Sequence, residues 1–202
     1  MRLIDTHSHL FLEEFSEDLP QVIERARSAG VTHIFMPNID STTIDSMLSV
    51  CNTYNDYCFP MIGLHPTSVN ADYEKELEIV ARELRSFNKY IAIGEVGMDL
   101  YWDKTFLKEQ QIVLDKQINW ALEYDLPVVI HCRDAFGYIY NVLEPYKNTS
   151  LKGVFHSFTG TDDEAARILE FSGFLIGING VVTFKKSRLP EVLTKIPLEK
   201  IV

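Results

Sequence analysis

Short apolar runs alternate with longer amphipathic stretches along the whole chain. Continuous apolar runs such as Ile34-Phe35-Met36 are typical of strands that are covered on both faces. In other stretches the apolar residues recur every three or four positions, which predicts a helix with one buried face. A clear case is the set Leu77, Val80, Ala81 and Leu84. The pattern therefore predicts a regular succession of strand and helix units.

The alternation predicts seven strand–helix units. The predicted strands cover residues 2–10, 31–38, 59–64, 90–95, 127–133, 153–158 and 174–179. The predicted helices cover residues 17–30, 40–54, 72–87, a long segment that follows a loop at 96–103 and ends at 124, then 135–146, 163–171 and a segment from about 189. No linker, charge block or change of composition divides the chain, so we expect residues 1–202 to form a single domain.

Strict alternation of strands and helices predicts an α/β fold with a parallel sheet, either open and doubly wound or closed into a (β/α)8 barrel. Histidine and glutamate residues fall at the carboxyl ends of five predicted strands: His7, His9, His65, Glu95, His131 and His156. An open sheet gathers ligands at one switch point, whereas a barrel brings every strand end to one mouth. The distribution therefore predicts a TIM-type barrel.

The sequence ends where the eighth strand of the predicted barrel would begin. Ile201 and Val202 resemble the opening of an eighth strand, which must pair with the first strand to close the barrel. This fold typically needs about 250 residues. We therefore expect that the barrel lacks the end of its eighth unit here and that the natural protein continues past Val202.

The histidines and the glutamate predict a metal centre. Within a strand His7 and His9 would share one face, although a lone His-x-His pair is more often two hydrogen-bonded polar residues at a strand end. Nitrogen ligands with a carboxylate suit zinc or another transition ion. A bridging carboxylate holds two ions about 3.5–4 Å apart, and Glu95 is the natural bridge. His33 has no partner at a ligand spacing and is interpreted as structural.

Net charge, cysteine spacing and hydropathy limit the partners and the cellular location expected of this protein. The formal net charge of −10 disfavours non-specific adhesion to nucleic acid or to an anionic membrane, so local cations would have to hold any phosphate. Cys51, Cys58 and Cys132 lack Cys-x-x-Cys spacing and are expected to be reduced thiols. No leader and no apolar stretch of about 20 residues is present. We expect a cytoplasmic protein with no membrane contact, and the sequence indicates no protein partner.

The polar residues belong to motifs at the strand ends, namely Asp5-Thr6-His7-Ser8-His9, Gly63-Leu64-His65-Pro66, Gly94-Glu95-Val96-Gly97-Met98-Asp99, Ile130-His131-Cys132-Arg133 and Phe155-His156-Ser157-Phe158-Thr159-Gly160. In content and order these motifs resemble the TatD family of metal-dependent deoxyribonucleases. The resemblance covers the chain from end to end, and the motifs are highly specific as a set. It places the chain among the amidohydrolase-like metal barrels.

The resemblance implies a role for each matching residue. His7 and His9 bind one ion with Glu95, Glu95 reaches a second ion, and His131 and His156 complete the second site. Two divalent ions, Mg, Mn or Zn, are the implied cofactors. The family also uses an aspartate after strand eight, which would lie beyond Val202. DNA is the implied substrate, shortened from the 3′ end of single-stranded or frayed molecules.

Three groups of residues are candidates for substrate contacts. His65 is assigned either to a phosphate or leaving-group contact or to a structural role. Arg133 either presents its guanidinium to a phosphate oxygen or is a solvated or ion-paired loop residue. The basic cluster after the seventh strand either contacts the DNA backbone or is a solvated loop, and consists of Lys185, Lys186 and Arg188.

Three more residues near the predicted mouth of the barrel, and the activity itself, have alternative interpretations. Tyr101 and Trp102 either stack a base of a single strand or belong to the core. Asp99 is expected to orient a neighbouring loop or an arginine rather than to bind a metal. The same ions would also suit hydrolysis of a D-aminoacyl-tRNA ester or another ester or amide. A barrel that has lost catalysis and serves as a binding scaffold is the alternative from another class.

Overall fold

Parallel strands follow one another side by side in chain order in the computed structural model, which describes residues 2–86 and 89–202. The strands are β1 Leu3–Asp5, β2 Val31–Met36, β3 Cys58–Pro60, β4 Ile93–Asp99, β5 Val128–Arg133, β6 Gly153–Phe155 and β7 Phe174–Ile176. The helices are α1 Leu19–Ser28, α2 Ile44–Thr53, α3 Tyr73–Ser86, α4 Leu107–Glu123, α5 Phe136–Leu143, α6 Asp162–Leu169 and α7 Leu189–Leu193. The predicted succession of strands and helices is confirmed.

Two groups of strands, β1-β2-β3 and β4-β5-β6-β7, are joined into one parallel order. Ile62, just after β3, forms a parallel bridge with Ile93 and accepts a hydrogen bond from Gly94 N at 2.9 Å. After β7, Ile176 forms a parallel bridge with Ile201, and Val202 N donates to Ile176 O at 3.0 Å. The order is that of a TIM-type barrel, and the predicted strand-like pairing of Ile201 and Val202 is confirmed.

The core lies between the strands and the surrounding helices. Leu77, Val80 and Leu84 of α3 are buried, as their spacing predicts. Each fully buried side chain of this kind contributes up to about 1.5–3 kcal/mol. A second, smaller apolar layer is centred on Met61 and Val129, on the opposite face of β5 from Val128 and Ile130. Strand alternation explains both layers, because successive side chains point to opposite faces.

Two strand boundaries differ from the sequence prediction. β1 ends at Asp5, so His7 and His9 lie beyond the strand, and Asp5 is exposed and accepts a hydrogen bond from His7 N at 3.1 Å. β4 extends to Asp99, through residues predicted to be a loop. Gly97 explains this second difference. It has φ +135°, and a Cβ there would lie 2.0 Å from His131 O, so glycine permits close contact between β4 and β5.

Other boundaries differ by a few residues at the strand and helix ends, and the predicted end of the third helix at Phe87 falls outside the described residues. His33 lies in β2, where its ring stacks on Phe59 at 5.3 Å between centroids. None of the helices described here is both long enough and apolar enough to cross a membrane.

The three cysteines are free thiols. Cys51 and Cys58 are buried and Cys132 is partly buried. Burial raises the pKa of Cys51 and of Cys132 to about 12 and that of Cys58 to about 11. These groups therefore stay protonated at neutral pH and act as small apolar side chains.

Candidate metal centre

Six side chains from five strand ends meet at the carboxyl edge of the sheet. We call them the histidine–glutamate cluster, and its members are His7, His9, His65, Glu95, His131 and His156. Glu95 lies at its centre, 3 % exposed, in β4. Glu95 Oε2 is 3.0 Å from His7 Nε2, 3.6 Å from His9 Nε2 and 3.7 Å from His65 Nε2. Glu95 Oε1 is 3.1 Å from His131 Nδ1.

Backbone contacts hold the loops that carry these side chains. Ser8 N donates to Phe35 O at 3.0 Å, which fixes the segment between His7 and His9 against β2. His65 N donates to Ile39 O at 2.7 Å. The loop histidines are thus tied to neighbouring strands although they lie outside β1 and β3.

The cluster contains two groups of potential ligands, each with its ligand atoms within 4.8 Å of one another. His7, His9 and Glu95 form the first group, and His65, Glu95 and His131 form the second. Glu95 belongs to both. His156 stacks on His7, with ring centroids 3.4 Å apart and an interplanar angle of 11°, and is in neither group. The resemblance implies that His156 binds the second ion, and in the structure His65 also lies within ligand reach of Glu95 and His131.

The donor set fits a divalent metal. Imidazole nitrogens with a carboxylate are ligands for zinc and related ions. His7 Nε2 and His9 Nε2 lie 3.2 Å apart and both face Glu95 Oε2. Among the described residues, His7 Nδ1 and His9 Nδ1 are buried atoms without a hydrogen-bond partner. The two Nε2 atoms and Glu95 Oε2 thus converge on one position, as expected of ligands for a shared cation.

The electrostatics of the cluster favour a negative glutamate and two neutral imidazoles, those of His65 and His156. Burial by itself raises the pKa of Glu95, but hydrogen bonds with His131, His7 and His9 outweigh it and hold that pKa well below its usual range. Burial lowers the pKa of His65 to about 4, as it does for His156, where repulsion from His7 adds to the effect. Both rings are therefore neutral at pH 7 and keep a free lone pair, as metal ligands must.

Asp99 contacts the histidine–glutamate cluster, whereas the sequence predicted that it orients a neighbouring loop or an arginine. It is 5 % exposed, and its Oδ2 lies 2.9 Å from His131 Nε2. Its Oδ1 also accepts a hydrogen bond from Tyr101 N at 3.1 Å, so the expected contact with a neighbouring loop is present as well. A sequence signal was available, because residues 95, 97 and 99 share one face of β4.

Helix α4 fixes two strand ends through buried glutamines that sequence reasoning missed. Gln117 Oε1 accepts from Leu64 N at 2.7 Å, and its Nε2 donates to Leu64 O at 3.2 Å, next to His65. Gln110 makes the same pair of contacts with the backbone of Asp99. The two glutamines lie seven residues apart, on one face of the helix. Polar residues at that spacing within a buried face were the available signal.

Asn38 holds Glu95 from the β2 side. It is fully buried, and its Nδ2 donates to Gly63 O at 2.9 Å and to Asp40 O at 3.0 Å. Its backbone carbonyl accepts from Glu95 N at 3.2 Å, and its N donates to Gly94 O at 3.1 Å. One asparagine thus joins the first half of β4 to the segments that follow β2 and β3.

The candidate substrate residues lie around the cluster. The Arg133 guanidinium carbon is 3.8 Å from the centroid of the Tyr101 ring. Lys185, Lys186 and Arg188 are exposed, and the last two line a cleft of about 470 Å³. This cleft shares Thr159 and Gly160 with a cavity of about 370 Å³ that His156 lines. Lys186 and Arg188 therefore border a cleft that adjoins, at Thr159 and Gly160, the cavity lined by His156.

A parallel barrel whose strand ends carry converging imidazoles and a central carboxylate defines the class of metal-dependent hydrolases. The sequence profile of the family described as "TatD related DNase" matches residues 4–202. The chain belongs to this TatD family and is a hydrolase that acts on ester bonds.

Individual relatives agree with this assignment. The chain is 35% identical to the "uncharacterized metal-dependent hydrolase YabD" of Bacillus subtilis, over 98% of this chain and 77% of YabD. It is 30% identical to the "3'-5' ssDNA/RNA exonuclease TatD" of Pantoea ananatis, over 98% of this chain and 76% of that protein. The crystal structure of the Escherichia coli TatD homologue YjjV superposes with a TM-score of 0.91 at 32% identity, over 100% of this chain and 77% of YjjV. The last comparison confirms the barrel fold.

Proposed function

We propose that this protein is a divalent-metal-dependent nuclease that removes nucleotides from the 3′ end of single-stranded or frayed DNA. The observation that carries the proposal is the position of Glu95, which is shared by two groups of ligand atoms at the mouth of the barrel. The 3′–5′ exonuclease name of the Pantoea relative supports the direction of attack and extends the substrate class to single-stranded RNA.

In this proposal the two ligand groups hold two ions. His7, His9 and Glu95 hold the first, and Glu95, His65 and His131 hold the second. His156, whose ring stacks on that of His7, is the further ligand that the family resemblance implies for the second ion. When bound, divalent ions polarise phosphoryl oxygens and lower the pKa of a bound water.

The remaining residues position these groups and the substrate. Asp99 accepts a hydrogen bond from His131 Nε2, which leaves Nδ1 facing Glu95 as the ligand atom. Thr67 fixes the ring of His65 through Nδ1, with its Oγ1 at 2.7 Å. Arg133 presents its guanidinium at the rim, where it can bind a phosphate oxygen through two N–H groups.

The test is digestion of single-stranded DNA labelled at its 5′ end, with Mg²⁺, Mn²⁺ or Zn²⁺ and with a chelator. A ladder of products shortened by one nucleotide at a time, absent with chelator and with Glu95→Gln, is the expected result. Hydrolysis of D-aminoacyl-tRNA in place of DNA, or no metal-dependent hydrolysis of either ester, would overturn the proposal.

A further inference from the structure

We propose that Trp102 is the stacking site for a nucleobase of a single strand whose phosphodiester lies at the histidine–glutamate cluster. The inference rests on the proposed function and deepens it, because it assigns a base-binding site and a reason for the choice of single strands. Three residues form this site, which we call the aromatic rim: Tyr101, Trp102 and Arg133.

The exposure of the rings is unusual for their size. Trp102 is 76% exposed and Tyr101 is 51% exposed, and they follow directly on β4. Packing into the core, the alternative that the sequence left open, is thereby excluded for Trp102. Large aromatic rings that stay in solvent at the edge of a site are typical of recognition surfaces.

The rim is held in a defined arrangement. The Arg133 guanidinium lies over the Tyr101 ring at 3.8 Å, and Tyr101 meets Trp102 edge to face, with centroids 4.6 Å apart and an angle of 89°. Tyr101 N is bound to Asp99 Oδ1. Arg133 lies closer to Tyr101 than to Trp102, whose centroid is 5.4 Å from the guanidinium carbon, and Trp102 is the more exposed ring, so it offers the more open face for stacking. A prearranged ring loses little conformational entropy when a base stacks on it.

The rim lies next to the metal centre. Trp102 lines a cleft of about 130 Å³ together with Asp99 and Thr67. Asp99 contacts His131 at 2.9 Å, and Thr67 contacts His65 at 2.7 Å. Two residues that line the cleft, Asp99 and Thr67, are thus in direct contact with proposed metal ligands. A base on Trp102 would therefore belong to a nucleotide close to the phosphodiester that reacts.

Because the protein is acidic, binding of a nucleic acid strand benefits from contacts that do not depend on charge. With a formal net charge of −10, the chain offers little general attraction to a polyanion. Stacking supplies affinity that does not depend on charge, and it accepts all bases because each has a π-face. Bases in a duplex are already stacked on their neighbours, so the site selects unpaired strands. Arg133 remains available for the adjoining phosphate.

The experiment uses the fluorescence of Trp102. The chain has two tryptophans, and the other, Trp120, is partly buried in α4, so a Trp120→Phe background isolates Trp102. Binding is measured in chelator, to prevent cleavage, with oligo(dT) and with an abasic oligonucleotide of equal length. We expect oligo(dT) to quench the emission and the abasic strand to leave it unchanged.

Affinity measurements in the native background complete the test. Trp102→Ala should weaken binding of oligo(dT) roughly five- to hundredfold, with no change in the slope of log K against log salt, because no ionic contact is lost. Trp102→Phe should restore part of the affinity. Tyr124→Ala is the matched control, since Tyr124 is 37% exposed and lies at the carboxyl end of α4, before β5 begins.

Two failures can be told apart. If the wild-type protein cleaves DNA with metal but Trp102→Ala binds oligo(dT) as tightly as the Tyr124→Ala control does, the stacking site is wrong and the nuclease proposal stands. If the wild-type protein hydrolyses neither DNA nor a small phosphodiester such as bis(p-nitrophenyl) phosphate with any of the three metals, the proposed function fails. Equal quenching by the abasic strand would also overturn the stacking site.

Discussion

His131 lies between two carboxylates, with Nε2 2.9 Å from Asp99 Oδ2 and Nδ1 3.1 Å from Glu95 Oε1. An imidazole held in this way has its ring orientation and its tautomer fixed. Asp99 is in turn held by the side chain of Gln110 and by Tyr101 N. Helix α4 therefore helps to position His131, because Gln110 holds Asp99 and Asp99 contacts His131.

Asp99→Asn tests this positioning. The substitution keeps the shape of the side chain and removes its charge, so we expect metal affinity to fall about 10- to 100-fold, as for other partners of metal-bound histidines. Competition with a chromophoric chelator measures the affinity, and circular dichroism checks that the variant folds. An affinity equal to that of the wild-type protein would show that Asp99 does not act through His131.

Glu95→Gln tests the shared carboxylate. Glu95 belongs to both ligand groups, so its loss should reduce metal content at both positions and abolish hydrolysis. Elemental analysis after gel filtration measures the content. Asp72→Asn, an exposed carboxylate that pairs with Lys75, is the control. Undiminished metal content in Glu95→Gln would rule out the bridging position.

Neutralising Lys185, Lys186 and Arg188 tests whether these residues contact the phosphates of a bound strand. If these residues contact phosphates of a single strand, each should contribute about 0.7 to the slope of log K against log salt, so the triple glutamine variant should lose about 2 from that slope. Filter binding at several salt concentrations in chelator measures it. Lys116→Gln, an exposed lysine on α4, should leave the slope unchanged. The same slope in the triple variant would mark the three residues as a solvated loop.

Gln117→Leu tests whether the hydrogen bonds from α4 to the backbone of Leu64 stabilise the fold. Gln117 is fully buried, and its loss leaves Leu64 N and Leu64 O without their partner. Each unsatisfied buried group costs about 1–3 kcal/mol, so the free energy of unfolding should fall by at least that amount. Urea denaturation measures it, with exposed Gln21→Leu on α1 as control. Equal stability of the two variants would contradict the role of Gln117.

The stability of the metal-free protein should depend on pH. The folded-state pKa of about 4 for His65 and for His156 lies below the ordinary 6.5, so between these values the unfolded chain binds more protons. The free energy of unfolding should therefore rise from pH 4 to pH 6.5. His131 acts in the opposite sense, because its raised pKa adds stability that is lost above pH 6.5.

Urea denaturation in chelator at intervals of pH measures this dependence. His156→Asn removes one of the two groups with a lowered pKa, so its curve should be less steep between pH 4 and pH 6.5. A wild-type curve that is flat over this range would contradict the burial of neutral histidines in the cluster.

The sequence by itself determined the alternation of strands and helices and the residues of the cluster, because hydrophobic period and position at a strand end are local properties of the chain. The strand-end positions alone identified His7, His9, His65, Glu95, His131 and His156, since parallel strands bring their carboxyl ends to one edge. The motifs at these ends also indicated the family.

Only the tertiary structure decided which side chains face one another. His65 lies within ligand reach of Glu95 and His131, and Asp99 contacts His131, because the register of neighbouring strands and the orientation of rings depend on packing between distant segments. Gly97 is a further case. Its local sequence resembled a loop, yet the contact with His131 O requires a glycine within a strand. Contacts of this kind join residues that lie far apart in the chain, so the pattern along the sequence does not contain them.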